Sequence, residues 1–441
     1  MAFLTSSDKA LWHLALPMIF SNITVPLLGL VDTAVIGHLD SPVYLGGVAV
    51  GATATSFLFM LLLFLRMSTT GLTAQAYGAK NPQALARALV QPLLLALGAG
   101  ALIALLRTPI IDLALHIVGG SEAVLEQARR FLEIRWLSAP ASLANLVLLG
   151  WLLGVQYARA PVILLVVGNI LNIVLDVWLV MGLHMNVQGA ALATVIAEYA
   201  TLLIGLLMVR KILKLRGISG EMLKTAWRGN FRRLLALNRD IMLRSLLLQL
   251  CFGAITVLGA RLGSDIIAVN AVLMTLLTFT AYALDGFAYA VEAHSGQAYG
   301  ARDGSQLLDV GRAGCRQSGI VALLFSVVYL LAGEHIIALL TSLTQIQQLA
   351  DRYLIWQVIL PLVGVWCYLL DGMFIGATRA AEMRNSMAVA AAGFALTLLT
   401  LPWLGNHGLW LALTVFLALR GLSLAAIWRR HWRNGTWFAA T

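Results

Sequence analysis

An aspartate inside an apolar run demands a chemical explanation, because a charge in hydrocarbon costs about 2.5–3.5 kcal/mol even on insertion scales. Asp32 is such a residue, with Leu30, Val31, Ala34 and Val35 around it. Burial favours the neutral carboxyl, so this group can take up and release a proton as its access to water changes. Pro17 and Pro26 lie upstream in the same run. Each removes a backbone donor and tends to kink a helix. A bendable helix carrying a protonatable group is what a proton-driven switch requires. The competing reading puts Asp32 near the outer end of its helix, hydrated or capping.

A second group comprises Asn169, Asn172 and Asp176, at spacings of three and four. Those spacings place all three on one helical face, which must look inward because lipid offers no hydrogen bonds. Thr194 on the next run could add a hydroxyl. The competing reading is a hydrogen-bond cluster that holds this helix against the first one, and the two readings are compatible. Asp371, followed by Gly372 and Gly376, either serves a cation or pairs with a neighbouring positive side chain. Asp240 and Arg244 are four apart, which predicts an ion pair within one helix.

The elements that position these groups are membrane spans. Of 441 residues, 60% are hydrophobic and 11% charged, against about 25% charged in soluble domains, and mean hydropathy is +0.87. A soluble core of this length cannot hide so much apolar surface. The net charge of +10 does not indicate nucleic acid, because the basic residues recur in short loops. Runs of roughly 20 apolar residues predict about twelve spans, near 10–36, 43–69, 84–106, 123–152, 160–183, 188–213, 231–261, 266–293, 312–333, 345–378, 384–403 and 407–428. Lys80, Arg87, Arg159, Arg302 and the arginines of the tail follow even-numbered spans. The positive-inside rule then puts both termini in the cytoplasm. The first run lacks a small-residue cleavage site, which predicts a retained span. Three dispersed cysteines and eight scattered histidines suit neither a disulfide framework nor a metal site.

The chain repeats itself. Gln75-Ala-Tyr-Gly-Ala-Lys80 matches Gln297-Ala-Tyr-Gly-Ala-Arg302, each after the second span of its half. The stretch from Pro140 to Gly154 matches Pro361 to Gly376. The offsets are all near 222 residues. This divides the chain into a bundle at 1–213, a basic linker at 214–230 and a bundle at 231–441. An even number of spans per half gives repeats of the same orientation, a transporter signature with the substrate site between the halves.

These residues carry a family likeness. Leu16–Pro17, the Val-Asp-Thr-Ala-Val-Ile-Gly run at 31–37, both Gln-Ala-Tyr-Gly-Ala motifs, Asn172-x-x-x-Asp176, Gly189-Ala-Ala-Leu-Ala-Thr194 and the segment Asp371 to Arg379 together resemble the MATE (multidrug and toxic compound extrusion) transporters. The likeness covers essentially the whole chain. It implies an all-α integral membrane protein, two six-helix bundles around a central cavity, and cation-coupled export by alternating access. It implies that Asp32, Asn172, Asp176 and Thr194 form a protonation-responsive network, to which helical geometry adds Asn169. In parts of the family an acid at the position of Asp371 joins sodium binding with a carboxylate in span seven. Here the acceptors in span seven are Gln249 and Thr256, which favours proton over sodium.

The resulting expectation is a monomeric exporter of small lipophilic or cationic compounds in a bacterial inner membrane, with no cofactor and H+ as coupling ion. Sodium coupling and a lipid-linked precursor flippase are the transporter alternatives. A flippase calls for a cavity rich in arginine for a pyrophosphate, and Arg66 and Arg135 are the few donors in the first half. An intramembrane enzyme is disfavoured, because the chain has no paired metal motif, nucleophile elbow or phosphate loop.

Overall fold

The structure is a computed structural model that describes residues 5–37, 39, 41–229 and 231–438; the side chains of residues 25–34 lie outside that description. Long apolar runs become helices because lipid leaves a backbone no other way to satisfy its polar groups. In chain order they are α1 (Ser6–Gly37), α2 (Pro42–Leu61), α3 (Phe64–Gly78), α4 (Pro82–Leu105), α5 (Arg107–Val118), α6 (Glu122–Arg135), α7 (Ala139–Gly154), α8 (Arg159–Asp176), α9 (Asn186–Leu215) and α10 (Gly220–Thr225). The second half holds α11 (Arg232–Arg261), α12 (Ser264–Gly300), α13 (Gly304–Leu340), α14 (Thr344–Gly376), α15 (Ala380–Thr397), α16 (Leu401–Leu404) and α17 (Asn406–Asn434). Among the described residues, eleven helical stretches are long and apolar enough to cross a membrane. With the 32 residues of α1 they correspond to the twelve expected spans.

The repeated Gln-Ala-Tyr-Gly-Ala motif makes a turn. It forms the last turn of α3 and of α12, within the helix and not beyond it as the sequence suggested. Lys80 and Arg302 then adopt φ of 54° and 53°. The Asn81 N–H reaches back to the Ala76 carbonyl at 3.2 Å, and the Asp303 N–H to Ala298 at 3.1 Å, the Schellman pattern that satisfies orphan carbonyls. Asn81 and Asp303 immediately cap the next helix, accepting from the Ala84 and Gln306 N–H groups. One seven-residue phrase therefore ends one span and starts another, in both halves.

Glycines repeat the same way. A Cβ on Gly154 would sit 2.7 Å from Thr73 Cβ, and one on Gly376 would sit 2.8 Å from the Glu292 carbonyl oxygen. At these points α7 meets α3 and α14 meets α12 backbone to backbone, the close approach that small residues permit in membranes. The halves differ in continuity. The second span of the first half breaks at Leu62–Leu63, and the fourth at the 3-10 turn Trp136–Ser138, whereas α12 and α14 run unbroken. α5, between the third and fourth spans, was not expected from the apolar runs.

Two compact units emerge, Phe20–Leu235 and Met1–Ile19 with Ala236–Thr441. The beginning of α1 therefore packs with the second-half helices: Ile19 sits against Gly286, and Trp12 donates to Gln317 at 2.8 Å. The repeat boundary near residue 213 and the packing boundary are thus different partitions of the chain. Residues 214–229 contain α10 and belong to the first of these units. At the start of α1, Thr5 and Asp8 cap each other reciprocally, with the Thr5 N–H on Asp8 at 2.9 Å. Arg316 lies 3.2 Å from the same carboxylate. Burial pushes the Asp8 carboxyl up, but the Thr5 N–H and Arg316 guanidinium outweigh it and hold it below the usual value.

Gly376→Val should drive a branched side chain into the α12 backbone, costing about 1–3 kcal/mol by overpacking. A lower melting midpoint in detergent is expected, and Gly154→Val should behave likewise; an unchanged midpoint would refute the close-contact argument. A group with a depressed folded pKa stabilises above its unfolded value, near 3.9, and that contribution disappears as pH falls through the folded value. Asp8→Asn should therefore lower the midpoint at pH 7, and the difference from wild type should begin to shrink below about pH 4 and vanish only once the pH is under the folded value.

Candidate functional site

In the unit Phe20–Leu235, α8 carries the polar face that its spacing predicted. The Asn169 amide donates to Thr24 Oγ1 at 3.1 Å, linking α8 to α1, and Thr24 in turn donates to the Ser21 carbonyl at 2.6 Å. The Asn172 amide lies 3.4 Å from Thr194 Oγ1 on α9, and Thr194 also donates to its own helix at Ala190. Asp176 is fully buried. The structure thus brings Asn169, Asn172, Asp176 and Thr194 into one α8–α9 face, with Asn169 joining it to α1. Asp32 and Pro26 lie outside the residues whose side chains are described. α1 is helical without interruption through Pro17.

Asp176 closes the α-helical part of this span, and residues 177–182 continue as π-helix. A π turn widens the helix by one residue and is frequent at functional sites. Gly189 is required just beyond it, because a Cβ there would lie 3.1 Å from the Leu179 carbonyl. The Gly189-to-Thr194 motif therefore packs the start of α9 against the π segment while presenting Thr194 to Asn172. Glu198, to which the sequence assigned no role, accepts from the Asn145 amide at 3.0 Å and ties α9 to α7.

The unit containing Ala236–Thr441 holds a different kind of centre. Asp371 on α14 accepts from Arg244 on α11 at 2.5 Å and from Arg420 on α17. All three side chains are buried. Of the two readings left open for Asp371, pairing with neighbouring cations is what the geometry shows. Arg420 also lies over the Phe416 ring at 5.6 Å. The expected Asp240–Arg244 pair within one helix does not form. Asp240 instead binds Arg384 at 2.6 Å and its neighbour Arg239, while Arg244 pairs with Asp371.

Sequence reasoning passed over Arg420 and Thr24. Arg420 could have been found, since it stands alone in the apolar stretch between Leu409 and Ile427, and such a charge needs a buried partner. Thr24 carries no comparable signal, because its hydroxyl can always return to its own helix.

Removing one member of a buried ion pair leaves an uncompensated charge and costs about 3–5 kcal/mol. Asp371→Asn should be the most damaging single change in the triad, because two guanidiniums are left facing a neutral amide. Arg244→Gln should cost less, since Arg420 still holds the carboxylate. Melting midpoints in detergent decide this; equal stability of Asp371→Asn and wild type would refute the ion-pair account.

Comparison with known proteins agrees with the fold and the repeat. The family model described as MatE matches residues 17–178 and 241–404, one segment in each half. The DNA damage-inducible protein F of Escherichia coli (strain K12) is 99% identical over 441 residues, covering all of this chain and 96% of that protein. A chloroplastic protein of Arabidopsis thaliana, DETOXIFICATION 44, is 27% identical over 96% of this chain and 82% of its own length. Among solved structures, a MATE transporter of Vibrio cholerae superimposes with a TM-score of 0.87 at 20% identity, covering 99% of both chains. A MOP superfamily transporter of Pyrococcus furiosus does so with a TM-score of 0.83 at 21% identity, over 99% of this chain and 98% of that one. With both halves matched and a relative near identity along the full length, this chain belongs to the MATE family: it is a multi-pass membrane transporter and not an enzyme.

Proposed function

We propose that this chain is a proton-driven exporter of small hydrophobic, often cationic compounds, working by alternating access as a monomer in a bacterial inner membrane. A probable multidrug resistance protein of Acinetobacter baylyi, 23% identical over 95% of this chain and 94% of that protein, supports the substrate class. The observation that carries the coupling is the fully buried Asp176 on the Asn169–Asn172 face, beside a π-helical segment. Protonation of Asp176, and of Asp32, alters which hydrogen bonds that face can make and so favours one arrangement of α1 over another, with Pro17 and Pro26 as the bending points.

The Arg244–Asp371–Arg420 triad supports proton over sodium. A sodium ion needs free carboxylate oxygens, and Asp371 already faces two guanidiniums. This supports placing coupling in the first half. The bodies that alternate are then the packed units, Phe20–Leu235 and Ala236–Thr441 with the beginning of α1, with both termini in the cytoplasm. One proton moving down ~100 mV supplies about 2.3 kcal/mol, or roughly a 50-fold concentration ratio.

The test is uptake of a fluorescent lipophilic cation into inside-out vesicles under an imposed proton or sodium gradient. Wild type should accumulate the dye with the proton gradient, up to roughly 50-fold per proton at ~100 mV. Asp32→Asn and Asp176→Asn should insert normally and abolish accumulation. Flux that follows sodium alone refutes proton coupling and leaves export standing. Normal transport by both variants refutes the α1–α8 switch. A wild type that moves no cation refutes the substrate class.

A further inference from the structure

A cleft of about 770 Å³ lies among α13, α14 and α17, all within the unit containing Ala236–Thr441. Its size is within the ~300–1,000 Å³ range of ligand sites. The walls are aliphatic and aromatic, with Trp366, Leu422 and Trp428 among them. Its polar boundary is a pair of cations on one face of α13, Arg312 and Arg316, with Cys315 between them. Asp309, one turn before Arg312, is exposed and does not line the cleft.

The two arginines have a defined level. α13 has 37 residues, about 55 Å at 1.5 Å per residue, against a hydrocarbon core of about 30 Å. About 25 Å of it, nearly five turns shared between its two ends, therefore lies outside the hydrocarbon when the helix stands upright. Arg312 and Arg316 stand 8 and 12 residues from its beginning, about 12 and 18 Å along it. Arg316 reaches Asp8, in the capped first turn of α1 before its apolar run, which places that guanidinium beside the polar border. Arg312 is exposed and makes no ion pair or hydrogen bond among the described residues.

We propose that this cleft is a binding site for one anionic phospholipid, its phosphate on Arg312 with help from Arg316 and its acyl chains against Trp366 and Leu422. The chemistry selects the occupant. Aliphatic and aromatic walls suit acyl chains, and a guanidinium without a carboxylate partner beside them selects a phosphate, which it can bind through two parallel N–H donors. A lipophilic cation meets the opposite field and is disfavoured. A free phosphate has no use for the apolar wall. The site is separate from the α8–α9 face and does not depend on the identity of the exported compound.

The chain contains its own reporter. Of its three cysteines, Cys251 and Cys367 are buried and Cys315 is exposed in the cleft. Delipidated full-length protein in detergent is treated with a maleimide at increasing phosphatidylglycerol or phosphatidylcholine. Phosphatidylglycerol should protect Cys315 at a concentration at least about fivefold lower, the factor expected of one basic residue near a membrane surface. Arg312→Gln should abolish that difference and Arg312→Lys should retain most of it. Equal protection by the two lipids in wild type overturns the proposal without recourse to any variant. So does a headgroup preference that survives in Arg312→Gln. Better protection by a lipophilic dye cation than by phosphatidylglycerol assigns the cleft to substrate and also overturns it. Protection by inorganic phosphate as strong as by the lipid identifies a simple anion site and does the same.

Discussion

Hydrocarbon supplies no hydrogen bonds and little dielectric screening, so every polar atom inside a span must find its partner within the protein. The rest of this structure follows from that constraint. It makes the backbone helical, drives the buried amides and acids onto inward faces, and forces the few charges together. The triad of Arg244, Asp371 and Arg420 is its strongest expression. Three helices, α11, α14 and α17, each contribute one charge that none of them could carry alone. The buried pair of Asn270 and Asn406 is the neutral version. The two amides donate to each other at 2.9 and 2.8 Å, and the Trp410 indole N–H adds a third bond to Asn270.

The same constraint explains why the repeat is so well kept at its turns. A chain leaving one span and entering the next exposes the last carbonyls of one helix and the first N–H groups of another. The Gln-Ala-Tyr-Gly-Ala phrase, a left-handed residue and an Asn or Asp cap satisfy both sets within seven residues. Gly154–Gln156 and Gly376–Thr378 solve the same problem at the end of the fourth and tenth spans, again with a left-handed residue. There Arg379 does more. It donates to the Trp437 carbonyl at 2.6 Å and binds Glu382 at 2.8 Å, fixing the segment after α17 to its own unit.

Between these shared turns the halves have diverged in polarity. The first half places amides, a hydroxyl and one buried acid on the α8–α9 face. At the positions one repeat later, Asn172 becomes Phe394 and Asp176 becomes Leu398, and the second half concentrates its charge in the triad. An amide-rich face with a single acid changes its hydrogen bonding when that acid gains a proton. The carboxylate of Asp371 is held between two guanidiniums instead. The proposed coupling rests on this asymmetry between an amide-rich face with one acid and an ion-paired centre.

The sequence by itself determined what depends on local order. The length of each apolar run set the spans, the 222-residue offset set the repeat, and spacings of three and four put Asn169, Asn172 and Asp176 on one face. Each follows from the geometry of a single helix, which a chain carries wherever it goes. Tertiary structure decided which side chains meet. Asp240 and Arg244 were suitably spaced to pair and did not, because Arg244 found Asp371, 127 residues away, and Asp240 found Arg384, 144 away. Asp371 was legible as a buried acid, but its second guanidinium comes from α17. The breaks at Leu62–Leu63 and Trp136–Ser138 and the π segment at 177–182 were equally absent from the apolar pattern. Periodicity fixes the direction of a side chain about its own axis, whereas partners are chosen by the desolvation cost that competing pairs relieve, and that cost exists only once the helices are together.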